Sequence, residues 1–153
     1  MPSSPKELLK AVLANPTDKE LIASLVTPDA TYVSLNFDDP ELKRVMPWAG
    51  TSNAREGIVQ TFIDVARYWD ERNLEEIAFF GDERYAALFG RMTYRSTVMK
   101  KKVVSPFCVY IEAQAGMIRH MQFMEDTFAT TNSFRSGGEW VIQSNPDGKT
   151  IRV

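Results

Sequence analysis

Hydrophobic positions fall at helical spacing twice in the first half of this chain and at strand spacing through most of the second. Over residues 5–14, Leu8, Leu9, Val12 and Leu13 share one helical face, and Asn15-Pro16 ends the run. Thr17 with Glu20 three residues later has the capping-box pattern, which predicts a second helix over 18–26, stopped by Pro28. The β-branched and aromatic run 30–35 predicts a strand. A long connection follows over 36–52, holding Asp38-Asp39-Pro40, Pro47-Trp48 and Gly50. Ser52 or Asn53 then caps a long helix to about residue 70, its buried stripe being Ile58, Phe62, Val65, Ala66 and Trp69. Beyond it the period becomes two, predicting strands over 74–80, 85–98, 103–113 and 117–126. Gly81-Asp82, Lys100-Lys101-Lys102 and Ala115-Gly116 supply the turns. A segment over 128–134 precedes Gly137-Gly138 and a short apolar strand, Trp140-Val141-Ile142. The polar tail from Asn145 is expected to fray.

Helices followed by long antiparallel strands give an α+β fold in one domain spanning 1–153, with a core over about 17–143. A curved antiparallel sheet wrapped around the long helix, with the N-terminal helices beside it, makes a cone with an apolar interior. Charge and composition narrow the chemistry. Eighteen Lys and Arg against 20 Asp and Glu leave a net charge of -2, which argues against a nucleic-acid partner. The single cysteine, Cys108, forms no internal disulfide and no Cys-rich zinc site, and the single histidine, His120, excludes a two-His metal motif. No metal and no organic cofactor is expected. The start, Met1-Pro2-Ser3-Ser4-Pro5-Lys6, is polar, and no apolar run approaches the roughly eighteen residues of a membrane span. The expectation is a soluble, cytoplasmic protein without a membrane partner.

Three stretches carry a family likeness: Pro28-Asp29-Ala30-Thr31-Tyr32, then Pro47-Trp48-Ala49-Gly50-Thr51 leading into Arg55-Glu56-Gly57-Ile58, and the run from Gly116 to Thr127. In these the chain resembles the nuclear transport factor 2-like superfamily, in its SnoaL-like and ketosteroid-isomerase-like branch, over about 17–143. The resemblance implies the cone, also called a cystatin-like fold, and a homodimer through the convex sheet face. It implies no single reaction, because this scaffold hosts isomerases, cyclases, hydrolases and non-catalytic modules. The family's carboxylates are replaced one by one. The isomerase base falls on Ser34 and its protonated oxyanion-hole Asp on Cys108, and no tyrosine stands in the first helix. The cyclase His and Asp fall on Met121 and Phe123, and the epoxide-hydrolase Asp also falls on Phe123. The hydrolase's Arg-x-Asp pair keeps Arg84 and loses its acid to Ala86.

Strand parity selects what is left. If Phe123 faces the cavity, so do Arg119, Met121 and Glu125, while His120, Gln122 and Asp126 point away. Cys108 shares its face with Pro106, Tyr110 and Glu112. Glu125 is the candidate acid or base, since an apolar cone raises a carboxyl towards neutrality. Its alternative is a rim glutamate paired with an arginine or solvated at a strand end. His120 reads as a structural residue of the convex face, and Cys108 as a small core hydrophobe. Trp48 is either a lid over the mouth or packing on the long helix. The candidate lining is Tyr32, Ser34, Trp48, Phe62, Trp69, Tyr94, Cys108, Tyr110, Met121 and Phe123, with Ser34, Tyr94 or Tyr110 as hydrogen-bond donors. Asp38-Asp39 with Glu41 lacks the order of a calcium loop and reads as a solvated turn. Lys100-Lys101-Lys102 is a charged hairpin tip that discourages edge pairing.

Two functions fit. One is a cofactor-independent acid–base isomerase, cyclase or hydrolase acting on a small, largely apolar molecule. The other is a non-catalytic dimeric ligand-binding or protein-interaction module.

Overall fold

The computed structural model describes residues 3–153. Met1 and Pro2, part of the polar start read above, lie outside the described residues. Helix α1 (Pro5–Ala14) opens with a capping box in which Ser4 accepts from the Glu7 N–H and the Glu7 carboxylate accepts from the Ser4 N–H. Helix α2 (Lys19–Leu25) is capped by Asp18, not by the expected Thr17: Asp18 Oδ1 accepts from Glu20 N and Leu21 N at 3.1 and 3.0 Å. Strand β1 (Val26–Ser34) begins at once, four residues earlier than the β-branched run suggested. The long connection is built rather than loose. It holds helix α3 (Pro40–Val45), capped by Asp39, and strand β2 (Gly50–Ser52). Asp39 and Asp38 are therefore committed, the first to the α3 N-terminus and the second to the Thr51 N–H at 3.3 Å.

Helix α4 (Glu56–Tyr68) starts later than expected, and neither Ser52 nor Asn53 caps it. Ser52 instead closes a small turn with Ala54. Arg55, at the α4 N-cap, donates to the Ala23 and Val26 carbonyls, so the start of α4 covers the open end of α2. Ile58, Val59 and Thr61 are buried, Phe62 and Val65 half-buried, and Ala66 exposed. The rear of α4 thus stands off from the sheet.

Strands β3 (Trp69–Gly81), β4 (Tyr85–Ser96), β5 (Lys102–Gln114) and β6 (Met117–Glu125) form a meander. With β1 and β2 they make one six-stranded sheet in the order β2-β1-β6-β5-β4-β3. It is not wholly antiparallel, because β1 runs parallel to β6. Bulges bend it: β3 carries extra residues at Asp70 and Ile77, and β6 carries one at Arg119. The third bulge changes the parity expected on β6, putting Ile118 inside and Arg119 out in solvent while Met121, Phe123 and Glu125 keep their common face. Helix α5 (Thr127–Asn132), capped by Asp126, follows β6 directly. The polar tail is not simply frayed, since β7 (Val141–Ile142) pairs with β8 (Ile151–Arg152) in a small hairpin.

The core lies on the concave side. Leu8, Leu9 and Val12 of α1 share one buried cluster with Met92, Val109, Ile111, Ile118 and Met121 of the sheet, and α1 packs on β3 to β6, so α1, more than the long helix, covers the sheet's inner face. At the hairpin tip, Lys100 and Arg95 both bind Asp70, at 2.8 and 2.9 Å, and hold its carboxyl far below the usual carboxylate range. The lysine tip is thus tied back to β3.

Gly90 marks a tight crossing. A Cβ there would run into the Glu75 carbonyl and the Phe107 ring. Since Phe107 stacks on Phe123 at 5.6 Å, Gly90→Ala is expected to displace that stack and cost about 1–3 kcal/mol, read from the urea midpoint.

Candidate functional site

Because α4 lifts away from the sheet behind Thr61, a cavity opens between its second half and the ends of β1, β4 and β6. Tyr32, Ser34, Leu35, Trp48, Thr61, Phe62, Val65, Trp69, Tyr94, Phe123 and Glu125 line it. The free space at its centre is about 20 Å³, room for roughly one water molecule. Its walls are mostly aromatic. Trp48 meets Tyr68 and Trp69 edge-on at 4.9 and 5.3 Å, Trp69 tilts against Tyr94 at 5.5 Å, and Phe62 meets the edge of Phe123 at 6.4 Å.

Five polar side chains enter this apolar surround: Tyr32 and Ser34 from β1, Thr61 from α4, Tyr94 from β4 and Glu125 from β6. Tyr32 and Ser34 share a face of β1 and lie beside Met121 and Phe123 of β6. Glu125 closes the β5–β6 ladder opposite Phe107. Its Oε1 is shut off from solvent and has no hydrogen-bond partner. Burial pushes the carboxyl up to about 7, and the neighbouring Asp126 adds to the rise. The Thr130 hydroxyl acts in the opposite direction. Both tyrosines are held well above the usual phenol range, chiefly by burial and further by the Glu125 charge. For Tyr32, the hydroxyls of Ser34 and Thr61 partly offset this. Near neutral pH the site therefore holds two phenols that stay protonated and one carboxyl poised between its acid and base forms.

Leu35 adds a further constraint. Its backbone is left-handed, φ 66°, and its N–H is bonded to the Phe123 carbonyl at 2.8 Å. A non-glycine residue in that region costs about 1–2 kcal/mol, so strain sits directly on the cavity wall.

Of the candidates read from the sequence, Tyr32, Ser34, Trp48, Phe62, Trp69, Tyr94, Phe123 and Glu125 meet at this cavity. Met121 is fully buried one step deeper, between Tyr32 and Ile111, outside the lining. Cys108 and Tyr110 are not in the cavity. On β5 the inward residues are Val103, Ser105, Phe107, Val109 and Ile111, which turns Cys108 and Tyr110 onto the convex face. Burial pushes the Cys108 thiol up, leaving it without thiolate character. His120 also lies on that face, 5.6 Å from the Tyr110 ring, and Arg84 pairs with Glu112 at its rim. Trp48 is buried against Tyr68 and Trp69 while also walling the cavity. Leu35, Thr61 and Val65 were absent from the sequence-based set. Thr61 stands three residues after Ile58 and four before Val65, so helical spacing had placed it on the buried stripe. Among the described residues no cluster of three His, Cys, Asp or Glu side chains could hold a metal ion, and no helix is long and apolar enough to cross a membrane.

No family model matches the chain. Two curated proteins are clearly related. The patulin biosynthesis cluster protein F of Penicillium expansum is 38% identical over 140 residues, covering 89% of this chain and 70% of that protein. The patulin synthesis protein F of Aspergillus clavatus is 37% identical over 137 residues, covering 87% and 69%. Among solved structures, an NTF2-like protein from Burkholderia thailandensis superposes with a TM-score of 0.71 at 17% identity, covering 87% of this chain and 98% of that one. TerC, crystallised with polyporic acid, superposes with a TM-score of 0.67 at 22% identity, covering 84% and 97%. The structural matches establish the NTF2-like fold.

The raised Glu125 carboxyl gives a stability signature that needs no ligand. In the unfolded chain it ionises near pH 4.5, while in the folded protein it keeps its proton to about 7. The folded state thus binds more protons in this window, and its contribution is full below pH 4.5 and lost as pH rises through 7. Denaturation midpoints measured from pH 4 to 8 should show this component, and Glu125→Gln should remove it. That variant is expected to gain on the order of 1–3 kcal/mol over the parent at pH 8.

Proposed function

The chain belongs to the family of the patulin cluster F proteins, and on that premise we propose that its cone is a small-molecule site in which Glu125 moves protons. The relatives' names connect them to patulin synthesis, and TerC, which shares the fold, was crystallised with polyporic acid. The observation that carries the reading is the unpartnered Glu125 Oε1, buried beside two phenols that remain protonated. A carboxyl poised near 7 can act as acid and base in one turnover, and geometry supplies what it acts beside.

The fitting substrate is a small, largely apolar carbonyl compound. Glu125 as carboxylate takes a proton from the carbon next to the carbonyl. The electron pair of that C–H bond moves into the new C=C bond and the carbonyl pair onto oxygen. The resulting enolate oxygen is met by the Tyr32 or Tyr94 hydroxyl, in a setting where a hydrogen bond to developing charge is worth more than in water. Glu125, now protonated, returns the proton to a different carbon; alternatively the enolate carbon attacks a second carbonyl carbon of the same molecule, whose C=O π pair moves onto its oxygen and takes the Glu125 proton, leaving an alcohol and the carboxylate. Both outcomes are redox-neutral and involve this chain's residues alone. With about 20 Å³ free, the walls must part for the ligand to enter. Trp48 and the strained Leu35 are the parts to move.

The tightness of the cavity also favours a second reading, a binding module whose cone is filled by its own side chains. α-Proton exchange of cyclohex-2-enone in D2O, followed by NMR, separates the two. For the enzyme reading, exchange should rise with pH through about 7, fall roughly 100-fold or more in Glu125→Gln and less steeply in Tyr32→Phe. Equal exchange in Glu125→Gln and parent supports the module.

The convex face is the surface we propose for pairing with a second copy. Phe89, Cys108 and Met124 sit side by side across β4, β5 and β6, with Phe80 and Val104 exposed nearby. Arg84–Glu112 bounds this apolar centre at one end, and the Asp70, Glu71, Arg95 and Lys100 ion pairs bound it at the other. An apolar patch inside a charged rim fits a two-fold interface. Sedimentation should give a dimer, and Phe89→Glu should shift it to monomer with the fold intact. A monomeric parent would remove the proposal.

A further inference from the structure

Three buried hydroxyls, Ser105, Thr130 and Ser133, gather where β6 passes into α5, immediately beyond Glu125. They form one hydrogen-bonded run. Ser105 Oγ accepts from the Asp126 N–H at 2.9 Å and donates to the Pro106 carbonyl at 2.7 Å. Thr130 Oγ1 donates to the Asp126 carbonyl at 3.1 Å. Ser133 Oγ donates to the Thr130 carbonyl at 2.7 Å and accepts from the Trp69 indole N–H at 3.2 Å. Both main-chain polar groups of the residue after Glu125 are thus fixed, one from β5 and one from α5. The same run reaches Trp69 on the cavity wall.

Three hydroxyls are more than a strand end needs. The Asp126 carbonyl already accepts from the Thr130 N–H at 3.0 Å, so the second bond from Thr130 Oγ1 is not required to satisfy it. What the arrangement adds is a fixed carboxyl direction: a strand end left free would let Glu125 turn outward to water, where its half-buried position gives it an exit. We infer that Ser105 and Thr130 are positioning residues, clamping the Asp126 peptide so that the Glu125 carboxyl stays inside the cone beside Tyr32 and Tyr94. The inference rests on the proposed role of Glu125, and neither residue touches the substrate.

The charged and titratable groups around Glu125 are few. Asp126 follows it, Tyr32 faces it from β1 and Tyr94 from β4. The part of α4 that lines the cavity brings only Thr61, Phe62 and Val65. Its titration therefore reports directly on the clamp. The two positions should act with the same sign. Thr130→Val keeps the shape of the side chain and the Asp126 carbonyl's other bond, but removes the hydroxyl's hold on that carbonyl, so the strand end loosens and the midpoint should fall towards that of an ordinary glutamate. Ser105→Ala orphans the Asp126 N–H, loosens the strand end and admits water, so the midpoint should fall towards that of an ordinary glutamate.

The test is the ¹³C side-chain NMR titration of Glu125 in the intact protein, for the parent and for Thr130→Val, Thr130→Ser and Ser105→Ala. Expected are a fall of about half a pH unit or more in Thr130→Val and in Ser105→Ala, and the parent value in Thr130→Ser; a rise in Thr130→Val, the mark of a hydroxyl acting on the carboxyl directly, overturns the inference. Hydroxyls that serve only as structural glue would lower the melting temperature and leave the midpoint in place, and that result overturns the inference. Should Ser105→Ala not fold, the two Thr130 variants decide alone. The titration needs no turnover, so its failure is distinct from failure of the acid–base reading, which Glu125→Gln tests through exchange.

Discussion

The buried indole of Trp69 holds together parts of the chain that lie far apart in sequence. It is the first residue of β3, where α4 gives way to the meander, and it is 1% exposed. Its ring meets Trp48 from the connection after β1, Tyr94 from β4 and Phe134 beyond α5, and its N–H is bonded to Ser133. A tryptophan enclosed on all sides with its one donor satisfied is stable in the interior, whereas an unpartnered N–H there costs a few kcal/mol. Beyond Thr61, α4 meets the core only through half-buried side chains such as Phe62 against Phe123, so the helix end relies on this anchor. Fixing the end of the helix and leaving its middle half-buried is what keeps the cavity from collapsing.

The consequence for chemistry follows from solvation. A carboxyl at the end of β6 would ordinarily be a solvated surface group. Here the aromatic walls deny Oε1 water, and nothing in the protein replaces it, so the acid form is favoured up to about 7. The tyrosines share the same environment and answer it in the same direction, which keeps their protons in place. One constraint, exclusion of water by the Trp69 cluster and the Phe107–Phe123 stack, therefore sets both the acid–base group and its donors.

The pattern of the sequence carried the fold because its strongest signals are periodic. Helical spacing marked α1 and α4, and long β-branched and aromatic runs between turn signals marked β4 and β5 almost to their ends. The weaker places have physical causes. β3 begins at Trp69 because the chain can pass from helix to strand without a turn residue, and the four residues that follow, Asp70 to Asn73, are too polar to read as a strand. The caps moved by a residue or more wherever two capping side chains stood close together, as with Thr17 and Asp18. The bulge at Arg119 was invisible, since an extra residue leaves no compositional trace, and it alone separates Arg119 from the face it was expected to share. At the site, parity correctly grouped Cys108 with Tyr110 and Glu112. Which of the two faces of β5 points inward could not be read from that strand alone, because Val104, Pro106, Cys108 and Tyr110 are as apolar as their neighbours. Thr61 went unlisted for a simpler reason: a threonine in a hydrophobic stripe looks like a defect until the cavity is seen.

In the acid–base reading proposed above, Glu125 stands one inward-facing step beyond Phe123, the position where the resemblance implies an acid. The resemblance puts a catalytic Asp of the cyclase type at position 123, where this chain has a phenylalanine stacked on Phe107. Strand period two gives positions 123 and 125 the same face, about 6–7 Å apart along β6. Moving the carboxyl that one inward-facing step carries it towards the end of the strand, where α5 begins, and leaves the vacated position as an apolar floor. The phenols follow: Tyr32 and Tyr94 both carry the mark of the Glu125 charge, and each lies on a strand whose end reaches the same level of the cone. A scaffold whose inner wall offers the same face every second residue allows such a displacement without changing the fold. The orphaned oxygen of Glu125, two residues beyond Phe123, is what sets the proposed site at the end of β6.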